Sequence, residues 1–128
     1  MGKDKHPLVL LVEDNAGVLE GFKHLLLTNG YLVETAENGQ AALTLLHGGL
    51  RPDLIVLDLM MPVMSGYEFR QHQMKHPELA TIPVIVYSAT TDAAANAIHL
   101  NATAYLQKPV GPGALLEQLR KLLPIAPR

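Results

Sequence analysis

The chain has 128 residues, a formal charge of -2 from ten basic and twelve acidic side chains, and no cysteine. That length fits one domain whose core can bury about two-thirds of the unfolded surface, so folding requires neither disulfide nor metal. The absence of cysteine excludes disulfide staples, thiolate metal sites and cysteine nucleophiles, and the lack of any dense Lys or Arg cluster argues against direct nucleic-acid binding.

The stretch MGKDKHP leads into only a few apolar residues before Glu13 and Asp14, which is neither a signal peptide nor a membrane span. No Ser or Thr stands at the myristoylation position. A soluble, cytoplasmic protein is expected. Residues 8–12, LVLLV, read as a strand buried on both faces, of the kind found in parallel sheets covered by helices. From Asn15 to Asn29 the apolar Val18, Leu19, Phe22, Leu25 and Leu26 recur at helical spacing, and Asn29-Gly30 supplies a stop. Tyr31 to Thr35 reads as a second strand, and Asn38 caps a helix carrying Ala42, Leu43, Leu45 and Leu46 that ends at Gly48-Gly49.

Arg51-Pro52 turns the chain into a third strand, Leu54 to Leu57, which runs into Asp58 before Pro62 and Gly66 break it. Ser65 is placed to cap a third helix with Tyr67, Phe69 and Met74, ending near His76-Pro77. Val84 to Tyr87 is a fourth buried strand that ends in Ser88. An Ala-rich fourth helix follows, from about Asp92 to Leu100, and then a fifth strand, Ala104 to Gln107, before Lys108-Pro109. The last helix, about Gly113 to Leu123, stops at Pro124. Five strands alternating with five helices through short connections predict an α/β fold with a doubly wound parallel sheet and helices on both faces. One domain over residues 7–124 is expected, with tails at 1–6 and 125–128.

The polar residues converge on this architecture. Glu13-Asp14, Asp58, Ser88 and Lys108 all lie at the carboxyl edge of the sheet, where open parallel sheets bind ligands. Carboxylates crowded there repel: a pair about 4 Å apart costs on the order of 4 kcal/mol at an effective dielectric of about 20. A hard divalent cation with oxygen ligands, Mg²⁺ above all, would neutralise them, using two carboxylates and a backbone carbonyl. Lys108 would then meet a phosphoryl oxygen, Ser88 would donate to another, and Asp58 is cast as the nucleophile that accepts the group as an acyl phosphate.

These residues resemble a family. Glu13-Asp14, Asp58 within DLMMPVMSG, Ser88-Ala89 and YLQKP from Tyr105 to Pro109 are similar to the receiver domain of two-component response regulators, including its single-domain chemotaxis-type members. The resemblance spans about residues 7 to 124. It implies a flavodoxin-like sheet of strand order 2-1-3-4-5 and a response regulator in phosphorelay signal transduction, a phosphoprotein rather than an enzyme, with slow autodephosphorylation at most. Asp58 would be the phosphoacceptor. Asp14 and Asp58 would ligate Mg²⁺ directly, Glu13 through water, and the Met60 carbonyl would complete the protein ligands. Lys108 would contact the phosphoryl group, Ser88 and Tyr105 would form the switch pair, and Lys108-Pro109 matches a step that is often cis in the family. Asn101 stands where the family usually has Gly, a substitution the left-handed conformation tolerates. Val110 replaces a frequent aromatic, and Gly111-Pro112-Gly113 leads unusually into the last helix.

The implied partners are a sensor histidine kinase or phosphotransfer protein upstream and a protein target downstream. The target would be met through the fourth helix, fifth strand and fifth helix, a face whose ionic groups are Asp92, Lys108, Glu117, Arg120 and Lys121. The 128 residues leave no room for a DNA-binding or enzymatic output, so the chain acts alone on a partner or is part of a longer one. Three rivals are weaker. A Gly-rich nucleotide site needs glycines after the first strand, where Glu13-Asp14-Asn15 stand. A phosphatase of the haloacid-dehalogenase type needs an acid two residues after its nucleophile, where Met60 stands. A pseudo-receiver that binds without being phosphorylated would be expected to lack an acid or the lysine. Glu68, His72 and His76 share a spacing that could hold a transition metal, but a solvated polar face accounts for them better.

Overall fold

The computed structural model describes residues 6–89 and 93–125. In chain order the elements are β1 (Leu8–Val12), α1 (Ala16–Thr28), β2 (Leu32–Ala36), α2 (Gly39–His47), β3 (Leu54–Asp58), α3 (Gly66–Met74), α4 (Pro77–Ala80), β4 (Val84–Ser88), α5 (Ala93–His99), β5 (Ala104–Gln107) and α6 (Pro112–Leu122). The strands form one parallel sheet in the order β2-β1-β3-β4-β5. This is the doubly wound, flavodoxin-like architecture that the alternating pattern and the resemblance imply.

Alternation along the strands divides the core in two. Leu10, Val12, Ile55, Leu57, Val84 and Val86 face α2, α3, α4 and α5, through Leu46, Phe69, Leu79 and Ala97. Val9, Leu11, Leu54, Val56, Ile85 and Tyr87 face α1 and α6, through Leu26, Leu115 and Leu119. β3 and β4 are buried along their whole length, and each fully buried aliphatic side chain contributes about 1.5–3 kcal/mol to that burial. The central strands are unbroken apolar runs because helices cover both of their faces.

Side-chain caps fix the helix starts. Asn15 accepts from the Val18 N–H, Asn38 from the Ala41 N–H, and Ser65 with Glu68 forms a reciprocal capping box on α3. The ends of α1 and α5 follow one pattern. After α1, the N–H of Gly30, at φ 94°, bonds to the Leu27 carbonyl and the N–H of Tyr31 to that of Leu26. After α5, Asn101 takes the same left-handed role at φ 56°, with its N–H on Ile98 and the N–H of Ala102 on Ala97. The expected tolerance of Asn at this position is met by a complete Schellman cap.

Some expected boundaries move. The second strand begins at Leu32, because Tyr31 is consumed in closing α1 and its ring packs in the core. The third helix ends at Met74, and the segment before β4 holds a further turn of helix, α4, with Pro77 at its first position. The expected fourth and fifth helices are therefore α5 and α6. That change also separates Glu68, His72 and His76. Glu68 is engaged in the capping box, and His76 lies outside α3 with its ring edge-on to His47, centroids 5.0 Å apart. The tail residues 1–5 and 126–128, and Asp92 as the expected start of the fourth helix, lie outside the described residues.

Candidate functional site

Three strands deliver three side chains to one spot. Continuing the alternation, Glu13 follows Val9 and Leu11, Asp58 follows Leu54 and Val56, and Tyr87 follows Ile85, so all three belong to the α1/α6 side of the sheet. Val12 pairs with Leu57 and Asp58 with Tyr87, so they sit side by side on β1, β3 and β4 at the carboxyl edge. Asp14, exposed at the start of the loop into α1, joins them: one carboxylate oxygen each from Glu13, Asp14 and Asp58 lie within 4.8 Å of one another.

The surroundings are charged and largely dry. Asp58 is 1% exposed and Glu13 2%. Asp58 Oδ1 accepts from the Met60 N–H at 3.2 Å and lies 3.1 Å from Lys108 Nζ, which is also 3.9 Å from Glu13 Oε1. Glu13 is held at both oxygens, Oε1 by the Tyr87 hydroxyl at 2.5 Å and Oε2 by the Asn15 N–H at 2.8 Å. Burial pushes the Glu13 carboxyl above the usual carboxylate range; the donors Tyr87 and Asn15 oppose the shift, the Asp58 charge adds to it, and Lys108 counters it. Burial and the hydrogen bond to Glu13 together raise the Tyr87 phenol far above its ordinary value, so it stays a donor.

Asp58 Oδ2 is buried and has no hydrogen-bond partner. An orphaned carboxylate oxygen beside two further carboxylates is costly unless a cation completes it. The donor set is all oxygen, which fits a hard divalent ion such as Mg²⁺. Among the described residues, no other group of three or more acidic or histidine side chains is placed to hold a metal.

The remaining expected residues fall around this centre. Lys108 follows β5, and its N–H bonds to the Ser88 carbonyl at 2.8 Å; the Lys108-Pro109 peptide is cis, as expected. Ser88 closes β4, 1% exposed. Tyr105 pairs with Val86, two residues before Ser88 on the neighbouring strand, and its ring is turned out, 47% exposed. By register Tyr105 lies on the face of Val86, the α5 side of the sheet, and Ser88 stands at the carboxyl edge one residue beyond the Tyr87 that pairs with Asp58. Met60 has its side chain exposed while its N–H engages Asp58. Tyr87 was not expected here. It reads as one more apolar residue of a buried strand, and only the strand order with the alternation would have placed it against Asp58 and Glu13.

The family profile described as the response regulator receiver domain matches residues 9–120. The chain belongs to that family. The receiver domain is 38% identical over 118 residues to the response regulator MprA of Mycolicibacterium vanbaalenii, covering 90% of this chain and 49% of the relative. It is 35% identical over 117 residues to a probable transcriptional regulator, ycf27, of Guillardia theta, covering 90% of this chain and 44% of that protein. The receiver domain thus spans about half the length of these curated relatives. Among solved structures it resembles the chemotaxis protein CheY4 of Vibrio cholerae, with TM-score 0.84, 30% identity, and coverage of 93% of this chain and 100% of that one. A response regulator receiver protein from Pseudomonas putida matches with TM-score 0.83 and 33% identity, over 93% of this chain and 99% of that one. Receiver domains are signalling modules that work with histidine kinases and downstream effectors, and they bind Mg²⁺ at an acidic pocket of this kind. Among the described residues no helix is long and apolar enough to cross a membrane.

Proposed function

We propose that this receiver domain accepts a phosphoryl group on Asp58 from a sensor histidine kinase or phosphotransfer protein, and that the modification switches a partner-binding surface. The observation that carries the reading is Asp58 itself, a buried carboxylate with one orphaned oxygen amid two more carboxylates and a lysine. In the transfer, an Asp58 oxygen attacks phosphorus and the P–N bond to the donor imidazole breaks. The imidazole leaves with the bonding electrons and is protonated, and an acyl phosphate remains. Lys108, already 3.1 Å from Oδ1, is placed to follow the charge onto a phosphoryl oxygen.

Asp14 and Asp58 would hold Mg²⁺ with the Met60 carbonyl, and Glu13 would act through water; the ion supplies charge neutralisation for the equatorial oxygens. Ser88 and Tyr105 form the proposed switch pair, the hydroxyl drawn toward the phosphoryl group and the exposed ring turning inward. The ring's present outward position is that of the unmodified state in this scheme. The face formed by α5, β5 and α6 is the proposed output surface, in a cytoplasmic protein whose domain occupies residues 7–124.

Incubation with acetyl phosphate and Mg²⁺ should add one phosphoryl group by intact-mass spectrometry, and both Asp58→Asn and removal of Mg²⁺ should abolish the adduct. Folded protein that gains no adduct, from acetyl phosphate or from a phosphorylated donor domain, would leave a binding module without phosphorylation as the better reading.

A further inference from the structure

We propose that Tyr87 is a positioning residue of the metal site, setting cation affinity through Glu13. The inference rests on the metal-dependent reading above and adds a residue to it. Glu13 is pinned at both ends, Oε1 by the Tyr87 hydroxyl at 2.5 Å and Oε2 by the Asn15 N–H at 2.8 Å. Each carboxylate oxygen has two lone-pair directions, so each anchored oxygen keeps only one for other use. A carboxylate held this way is poorly suited to embrace an ion with both oxygens. It is well suited to accept from a water on the ion. The two anchors come from different parts of the fold, one from β4 and one from the loop into α1, so together they fix the orientation of the group and not merely its position.

The phenol is itself held. Its ring meets Phe22 of α1 edge-on, with centroids 5.9 Å apart and planes at 63°. Lys108 Nζ lies 5.1 Å from the same ring's centroid, within cation–π range. Tyr87 therefore touches both Glu13 and the lysine that pairs with Asp58, and it stands in register with Asp58 on the adjacent strand. A buried tyrosine needs a partner for its hydroxyl, but any backbone carbonyl would serve that need. Here the partner is one of the three acids that converge on the cation site.

Removing a hydrogen bond that orients a metal-site group typically lowers affinity about 10- to 100-fold where the group ligates directly. For a group acting through water, the lower end of that range, about tenfold, is expected. Tyr87→Phe keeps the ring, the Phe22 contact and the face offered to Lys108, and deletes only the hydroxyl. By titration calorimetry of the whole chain, its Mg²⁺ dissociation constant should rise about tenfold. In a Glu13→Ala background, which deletes the acceptor, the same change should add less than about twofold, because Tyr87 acts through Glu13. A purely structural role would weaken binding equally in both backgrounds. That result would overturn the inference, as would an affinity for Tyr87→Phe within twofold of wild type. A wild-type chain that takes up no Mg²⁺ would sink the metal-dependent reading itself, whereas failure of the variant comparison alone would leave that reading standing. Should Tyr87→Phe not fold, fluorotyrosine-labelled wild type serves instead. The ¹⁹F signal of Tyr87, assigned by exclusion, should move in step with the Mg²⁺ isotherm, and an unmoved signal would overturn the proposal.

Discussion

Gly66 opens α3 directly beneath the acceptor, and its lack of a side chain is a requirement of the site. Its N–H bonds to the Leu59 carbonyl at 3.1 Å, drawing the loop back onto the strand it has just left. A Cβ here would collide with the Asp58 carbonyl oxygen and approach the Leu59 Cα to 2.8 Å, both backbone atoms that cannot swing aside. Gly66→Ala should therefore cost about 1–3 kcal/mol, read from the urea midpoint, although alanine is the better helix former. An unchanged midpoint would mean that the loop can lift off β3 freely. Three residues away Val63, a β-branched residue, stands at φ 68°, so the same loop carries strain beside the site. Neither feature is visible as such in DLMMPVMSG, where Gly66 reads only as a breaker. Glu13 and Asp58 were legible because each is the polar residue that ends an apolar run, and Lys108 because it follows the last strand directly before Pro109. Tyr87 was hidden by being counted within its run; the pairing Asp58 with Tyr87 is what reveals it.

Arg70 shows what an element can conceal. It lies on α3, 5% exposed, and its guanidinium donates to the Leu100 carbonyl at 3.0 Å, to the Asn101 carbonyl at 2.8 Å and to Gln73 Oε1 at 2.7 Å. Gln73 passes the connection on through its amide to the Leu79 and Ile82 carbonyls. The buried cation meets the negative end of α5, which replaces a carboxylate partner. Burial draws the Arg70 pKa down, yet a guanidinium remains charged at any ordinary pH. Arg70→Met should cost about 2–4 kcal/mol in chemical denaturation, since it removes the donor to two part-buried carbonyls and leaves the buried Gln73 oxygen unpaired. Arg70→Lys should recover only part, because an ammonium cannot span the three acceptors. A loss under about 0.5 kcal/mol for Arg70→Met would mean that water takes the guanidinium's place. The three central strands were readable because parallel strands buried on both faces are apolar runs bounded by turns, and the two edge strands as short stretches between turn signals. This linkage was not, since a polar residue on a helix gives no sign of whether it faces solvent or another helix. The short α4 was missed for a related reason: Pro77, read as a stop, both ends one helix and supplies the preset φ that starts the next.

At the scale of the whole chain, the two ends of the domain are joined by one phenol. Tyr31, which closes α1, donates to the carbonyl of Leu123 at the end of α6 at 3.1 Å, tying together the two helices that cover the Glu13, Asp58 and Tyr87 side of the sheet. Burial raises the Tyr31 pKa above its ordinary 10.0, with the Arg120 charge opposing. Burial and the bond to Glu13 raise that of Tyr87 further. The sign follows from proton counts. Above about pH 10 the unfolded chain releases phenol protons that the folded chain still holds, so the contribution of these two phenols to stability is constant below that pH and falls as pH rises past it. Each retained proton can contribute a slope of up to about 1.4 kcal/mol per pH unit. Tyr31→Phe should lower stability by about 1 kcal/mol at neutral pH, through loss of the bond to Leu123. It should also make the alkaline decline shallower, because one of the retained protons is gone. Urea unfolding of both proteins at a series of values from about pH 8 to about pH 11 separates the two effects: a constant gap between the curves would mean that Tyr31 ionises alike in both states, and a gap that narrows with rising pH is the expected result.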